Sequence, residues 1–298
     1  MAPTDRKNAS DYPPEVLELF DGYVHNALSR RDFLTRAAKY AVGGMTALAI
    51  LESLQPNFAW AEQVSKADAR LKMEYVKYPS PKGSGEMRGY LARPAKAKGK
   101  LPGGVVIHEN RGLNPYIEDV ARRLAVVGYV AFAPDALTPL GGYPGDEEKA
   151  RELFQKLDAA KRTEDLVAAA EYVKSRTDVT SKIGAVGFCF GGGTCNMLAS
   201  RLPWLAAAVP YYGAAVTADE AKTIKAALQL HFASTDERVN KAWPDYEAAL
   251  KASKVRYEAY HYPDTQHGFH NDTTPRYDEK AATLAWTRTL AFFKKHIG

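Results

Sequence analysis

Residues Ile183–Gly193 read I-G-A-V-G-F-C-F-G-G-G, and the reading of this stretch decides the rest of the chain. A short apolar strand passes through G-x-C-x-G and runs into the helix-like segment Thr194–Arg201. That is the form of a nucleophile elbow, a sharp strand-to-helix turn that lifts one reactive side chain above a sheet. Gly187 and Gly191, two residues before and two after Cys189, let such a strained turn pack without a Cβ clash. Cys189 stands where most sites of this design carry serine. A serviceable elbow needs partners further along the chain, so the reading works outward from here.

Strand-like and helix-like runs alternate on both sides of the elbow. Met73–Ser80 and Met87–Pro94 read as a hairpin about the Gly83-Ser84-Gly85 turn. Gly103–His108 is a continuous β-branched run of the buried kind, followed by a helix with Asn114 as N-cap, Pro115 in its first turn and Gly128 as its stop. Tyr129–Pro134 is the next strand. It opens into the Pro/Gly-rich loop Leu137–Gly145, and helices are expected over Asp146–Ala160 and Thr163–Arg176. Beyond the elbow, Ala206–Tyr211, Ala227–Ala233 and Arg256–Tyr262 are strands, with helical stretches near Thr217–Ala226, Lys241–Ala252 and Arg276–His296. Such alternation predicts an α/β fold with a mostly parallel sheet and helices on both faces.

Composition narrows the function classes. The 298 residues are 46% hydrophobic and 25% charged, ordinary for a soluble globular chain. The formal net charge of +5 comes without a Lys/Arg-rich run, which argues against nucleic acid as a partner. Cys189 and Cys195 are the two cysteines; on one helix their axial separation of about 9 Å exceeds disulfide reach, so both are expected as free thiols.

In a doubly covered parallel sheet, functional groups collect at the carboxyl ends of the strands. Glu109, Cys189, Asp236 and His267 all fall there, in the chain order nucleophile, acid, histidine for the last three. The chemistry asks for these types. A cysteine attacks as thiolate, favoured by a helix N-terminus and a neighbouring imidazole. His267 would move the proton, and Asp236 would hold its tautomer and stabilise the imidazolium. The backbone N–H groups of Asn110 and Phe190 are placed to form an oxyanion hole. Cys195 reads as an inert core thiol. His261, His267 and His270 fit no ligand spacing, and Gly191-Gly192-Gly193 lacks the Lys-Ser/Thr of a phosphate loop, so neither metal nor cofactor is expected.

From about Met73 to its end the chain resembles the dienelactone hydrolase family of α/β-hydrolases. The resemblance rests on I-H-E-N-R-G-L-N, the A-P-D at Ala133–Asp135, G-F-C-F-G-G-G, P-Y-Y-G at Pro210–Gly213, the Asp236 turn and H-G-F. It implies a Cys189–Asp236–His267 triad, a thioester intermediate and a small ester or lactone as substrate. It also implies that Glu109 holds the resting thiol. Arg111 is a candidate for binding substrate, and Tyr211 and Tyr212 either line the acyl pocket, where Tyr211 is the substrate-binding candidate, or pack in the core. Two departures stand out: where prototype enzymes place carboxylate-binding arginines, this chain has Ala150, with Arg151 adjacent, and Asn271. Thioesterase, broad arylesterase and phosphotriesterase activity on the same triad are the alternatives within enzymes, and a catalytically silent exported binding protein is the alternative outside them.

Residues 1–61 read as an extension ahead of a hydrolase domain at 62–298. Ser29-Arg30-Arg31-Asp32-Phe33-Leu34, an apolar stretch over Tyr40–Leu54 kept weak by Gly43-Gly44 and Glu52, and Ala59-Trp60-Ala61 resemble a twin-arginine export signal. The stretch is too short and polar for a membrane span. This predicts recognition by the twin-arginine export machinery and a periplasmic or secreted location. The competing reading is an amphipathic helix over Pro14–Leu28, apolar at Val16, Leu17, Leu19, Phe20 and Val24, that stays attached and packs on the domain; the location is then cytoplasmic.

Overall fold

A computed structural model describes residues 6–42 and 45–298; the Gly43-Gly44 pair lies outside the described residues. Eight strands form one sheet: β1 (Leu71–Ser80), β2 (Gly85–Pro94), β3 (Leu101–Ile107), β4 (Val130–Pro134), β5 (Val179–Phe188), β6 (Ala207–Tyr211), β7 (Ala227–Ala233) and β8 (Tyr257–Tyr262). Their spatial order is β1-β2-β4-β3-β5-β6-β7-β8. β2 pairs antiparallel with β1 and β4, and every other pairing is parallel. This is the α/β-hydrolase arrangement, with the parallel strands directing their carboxyl ends to one edge.

The helices explain why β4, β6 and β7 are buried along their whole length. On one face α4 (Pro115–Val126) and α11 (Glu279–His296) bring Ile117, Val120, Ala285 and Phe293 against Val106, Val186 and Val209. On the other, α6 (Ala159–Ser175) and α7 (Phe190–Arg201) bring Leu166, Val173 and Leu198 against Val105, Phe132 and Ala185. A parallel strand covered on both sides has no polar face to present, hence the unbroken apolar runs.

Local signals set the boundaries. Asn114 caps α4, its side chain accepting from Ile117 N–H, and Gly128 takes φ +104° after that helix ends. Two expectations shift. α7 begins at Phe190 rather than Thr194, so all three glycines are helical despite their poor propensity. The last helix begins at Glu279, capped by Asp278, and residues 263–278 form turns carrying His267.

Ahead of the sheet, α1 (Pro14–Val24), α2 (Arg30–Ala37) and α3 (Ala47–Leu54) close around their own apolar cluster, which includes Val16, Phe20, Tyr23, Phe33, Leu51 and Leu54. Ser29 and Asp32 form a capping box at the start of α2, leaving Arg30 and Arg31 exposed. The N-terminal segment packs against the sheet's carboxyl edge, with Asn110 Nδ2 donating to the Val24 carbonyl and Arg151 Nη1 to Asn26 Oδ1. Among the described residues no helix is long and apolar enough to cross a membrane.

Candidate active site

The elbow is built by backbone contact. Cys189 sits at φ 55°, ψ −111°, between the end of β5 and the start of α7. A Cβ on Gly187 would lie 2.2 Å from the Gly191 carbonyl oxygen, and one on Gly191 would lie 2.2 Å from the Ile107 oxygen. Only glycine allows the turn to close this tightly on its neighbour strand, and the strain is held by the ladders on either side.

Three of the expected residues converge with the thiol. Asp236, in the turn after β7, accepts from Val239 N–H and places Oδ2 2.5 Å from His267 Nδ1. It therefore caps a short helix and orients the imidazole at once. A ring nitrogen of His267 and the Cys189 sulfur belong to a cluster whose donor atoms all lie within 4.8 Å of one another. Among the described residues His267 Nε2 is a buried atom without a hydrogen-bond partner, free to serve the reacting atoms. Glu109 follows β3 beside them, half-buried, and accepts from Asn271 Nδ2 at 2.9 Å.

The third member of that cluster is His25, at the end of α1. Its Nε2 lies 3.4 Å from Cys189 Sγ, and its Nδ1 is 3.1 Å from the Asp21 carboxylate one helical turn earlier. The thiol's hydrogen-bond partner in this structure is thus His25, whereas Glu109, expected in that place, is turned to Asn271. Arg238 Nη2 approaches both imidazoles, at 3.1 Å from His25 Nε2 and 3.3 Å from His267 Nδ1. Cys, His and His are donors that a soft divalent cation accepts. The histidines grouped from sequence are elsewhere: His261 stacks on Phe232 and His270 bonds Tyr116 in the core.

Electrostatics follow the geometry. Burial pushes the Cys189 thiol up, but the charges of His267 and His25, with the hydrogen bond of His25, outweigh it and bring the thiol well below its ordinary value. Burial works against the charged form of His267, yet the thiolate and the Asp236 bond raise it to about 10. His25 is raised too, burial being outweighed by the thiolate and Asp21. Glu109 is raised by burial and by the thiolate beside it. Cys195, wholly buried in α7, is pushed up by desolvation, the state of an inert thiol.

Two spaces meet at the sulfur. A cleft of about 710 Å³ is lined by Cys189, Asn110, Phe190 and Tyr212 and extends over Phe154, Met197 and Val216. A cavity of about 40 Å³ lies on the other side, against His267, Glu109, Arg111 and Arg276, and is closed by Phe20 and Val24 of α1. The two oxyanion candidates, Asn110 and Phe190, therefore share the larger cleft with the nucleophile.

Other candidates fall differently. Arg111 is tied to the Asn110 carbonyl and side chain and lies 3.8 Å from Glu147. Tyr211 does not line either space; its hydroxyl pairs with Thr289 and its ring stacks on His231 in the core. Tyr212 is the tyrosine that faces the site, with its ring 4.9 Å from that of His267. Ala150 is core, and Arg151 is spent on Asn26 and Glu148. Sequence reasoning missed His25, Asp21 and Arg238. The one available signal was the D-x-x-x-H spacing on a helix, which puts Asp21 and His25 on one face.

The family model described as the dienelactone hydrolase family matches residues 87–297, and one described as YqhI-like matches residues 3–39. The hydrolase fragment YghX of Escherichia coli is 60% identical over 114 residues, 38% of this chain and 97% of its own. A Synechocystis protein assigned as a carboxymethylenebutenolidase is 33% identical over 230 residues, 71% of this chain and 93% of its own. Among solved structures, a Klebsiella pneumoniae protein assigned as a dienelactone hydrolase aligns with TM-score 0.66 and 28% identity, over 76% of this chain and 100% of that one.

Proposed function

Because the chain belongs to the dienelactone hydrolase family and is a hydrolase, we propose that it cleaves a small ester or lactone through Cys189, His267 and Asp236. The observation that carries this is the convergence, at one sheet edge, of a strained cysteine elbow with an imidazole already oriented by a carboxylate. The site's imidazoles hold the thiol as thiolate before substrate arrives. Sulfur attacks the carbonyl carbon, and the resulting oxyanion is met by the N–H groups of Asn110 and Phe190. The C–O bond breaks, the departing oxygen takes the proton from His267 Nε2, and a thioester remains. His267, now neutral, takes a proton from water; the hydroxyl attacks the thioester carbon and the C–S bond breaks, restoring thiolate and imidazolium.

The cleft points to the substrate's character. Phe154, Met197, Tyr212 and Val216 offer apolar surface; of the arginines lining the cleft, Arg162 lies over the Phe154 and Phe190 rings and Arg238 against His25 and His267, while Ala150 and Asn271 stand where the resembled enzymes carry arginines and Arg151 is occupied elsewhere. An uncharged apolar or aromatic ester or lactone fits better than a small carboxylate-bearing one. The test is a panel of esters and lactones of varied charge and length, with organophosphates included, against wild type and Cys189→Ala. Wild type should show a burst and prefer neutral substrates, and the variant should fold but lose turnover by about 10³-fold or more. Undiminished turnover in Cys189→Ala sinks the covalent route; binding without turnover in either form supports the silent reading instead.

For location, we propose twin-arginine-type export, supported by the order of residues 29–34 and by the exposure of Arg30 and Arg31. Ala61 is buried and its carbonyl accepts from Arg123, and the twin-arginine route carries folded chains, so export on this reading leaves residues 1–61 attached. Intact mass of the protein from periplasmic and cytosolic fractions of its host decides: a cytosolic species alone overturns export.

A further inference from the structure

The N-terminal segment puts a second acid–imidazole pair on the nucleophile. Asp21 and His25 mirror Asp236 and His267 in outline: His25 Nδ1 bonds the Asp21 backbone carbonyl at 2.9 Å with the Asp21 carboxylate 3.1 Å away, and its Nε2 is directed to the sulfur. The two rings meet edge to face, with centroids 4.6 Å apart and planes at 87°, so the sulfur is bracketed by imidazoles from opposite ends of the chain. The pair's placement is enforced from several elements. Asn110 Nδ2 donates to the Val24 carbonyl at 2.7 Å, so an oxyanion-hole residue also anchors the end of α1. Asn26, in the left-handed region at φ 65°, ends that helix and accepts from Arg151 at 2.6 Å. Arg276 and Arg238 lie 3.6 and 3.8 Å from the Asp21 carboxylate.

We infer that His25, oriented by Asp21, is a catalytic residue that holds Cys189 as thiolate, so that the N-terminal segment is a working wall of the active site. The inference rests on the reading of Cys189 as nucleophile. His25 keeps its proton through the cycle and changes no bond; it stabilises the sulfur's charge before attack and again when the thioester's C–S bond breaks. His267 carries the proton that moves. His25 does not obstruct this chemistry, because Cys189, Asn110 and Phe190 all remain on the open cleft beside it. The groups facing His25 pull in both directions. Asp21 and the thiolate favour its charged form, His267 and Arg238 oppose it, and Glu109, Arg111 and Arg276 surround the adjoining cavity.

The experiment is the pH dependence of Cys189 alkylation by iodoacetamide in the full-length chain, read by peptide mass so that Cys195 is scored separately. Hydrolysis of a neutral chromogenic ester is followed alongside. His25→Gln should raise the alkylation midpoint by about one unit or more, a roughly tenfold loss of rate on the acid side. Asp21→Asn, which leaves the ring in place, should move it less in the same direction, and both should lower ester turnover. An unchanged midpoint in a folded His25→Gln overturns the inference, as does faster turnover, which would mark His25 as a plug. Should Cys189→Ala still hydrolyse the ester, the nucleophile reading fails first; should Cys189→Ala be inactive and His25→Gln behave as wild type, the inference fails alone.

Discussion

The sheet edge and the N-terminal segment both reach the sulfur of Cys189, and they are held there by different means. On the sheet side the positioning is backbone against backbone: the elbow closes because Gly187 and Gly191 leave 2.2 Å between where a Cβ would sit and a carbonyl. On the other side the segment has an apolar cluster of its own, and beside the backbone bond from Asn57 N–H to the Thr273 carbonyl its ties to the domain run through side chains, such as Asn110 to Val24 and Arg151 to Asn26. The first kind of contact has no intermediate position; the second can open and re-form without disturbing the strands. The contrast teaches that one site can combine a rigid nucleophile with a more yielding partner, and the two sides should fail differently.

The largest effect on turnover is expected where backbone touches backbone. Gly191→Ala drives a methyl into the Ile107 carbonyl, so β3 or the elbow has to move. The loss should be about 1–3 kcal/mol, seen as a fall in the denaturation midpoint together with loss of ester turnover, since Cys189 travels with the turn. A native midpoint with native turnover would mean that the elbow is as adaptable as the segment, and the comparison would collapse.

Phe33→Ala tests the other side. Phe33 is wholly buried between Phe20 and Tyr23, and its removal should cost about 3–5 kcal/mol. The expected outcome is local: amide exchange over residues 14–54 becomes fast while residues 103–107 and 183–188 stay protected. Uniform loss of protection would show instead that segment and sheet unfold as one unit.

This difference also explains what could be read from the sequence. The strands, the elbow and the carboxyl-end positions of Asp236 and His267 depend on local patterns, namely β-branched runs, glycines two residues either side of a cysteine, and turns after strands. Tyr211 was harder, because β6 is covered on both faces and successive residues point to opposite sides. Nothing in P-Y-Y-G tells which tyrosine faces the thiol, and it is Tyr212. Glu109 was located but not its partner, since Asn271 reaches it from 162 residues away. His25 is the extreme case. It lies 164 residues from Cys189 in a segment whose own pattern, an arginine pair before an apolar run, pointed to export. Its nearness to the sulfur depends on how a separate helical cluster docks, and docking through scattered polar side chains leaves no periodic trace.

Arg151→Ala is the finest probe of that docking, and the smallest effect. The guanidinium donates to Asn26 and Glu148 at 2.6 Å each and lies over the Tyr23 ring at 4.6 Å, so one side chain meets the segment at two points. Deleting it leaves every contact within the sheet and every contact within the segment's cluster intact. The midpoint of global unfolding should therefore hardly move, while opening of the segment becomes easier by about 1 kcal/mol, roughly a fivefold rise in exchange at residues 23–28. Arg151→Lys separates charge from shape: lysine keeps the cation but has no fork to bridge Asn26 and Glu148. If the bridging geometry matters, lysine restores little of the protection; if it restores all of it, the tie is charge alone and should fade with added salt. Exchange that is unchanged in both variants would mean that Asn110 and the Asp21 contacts carry the docking without Arg151.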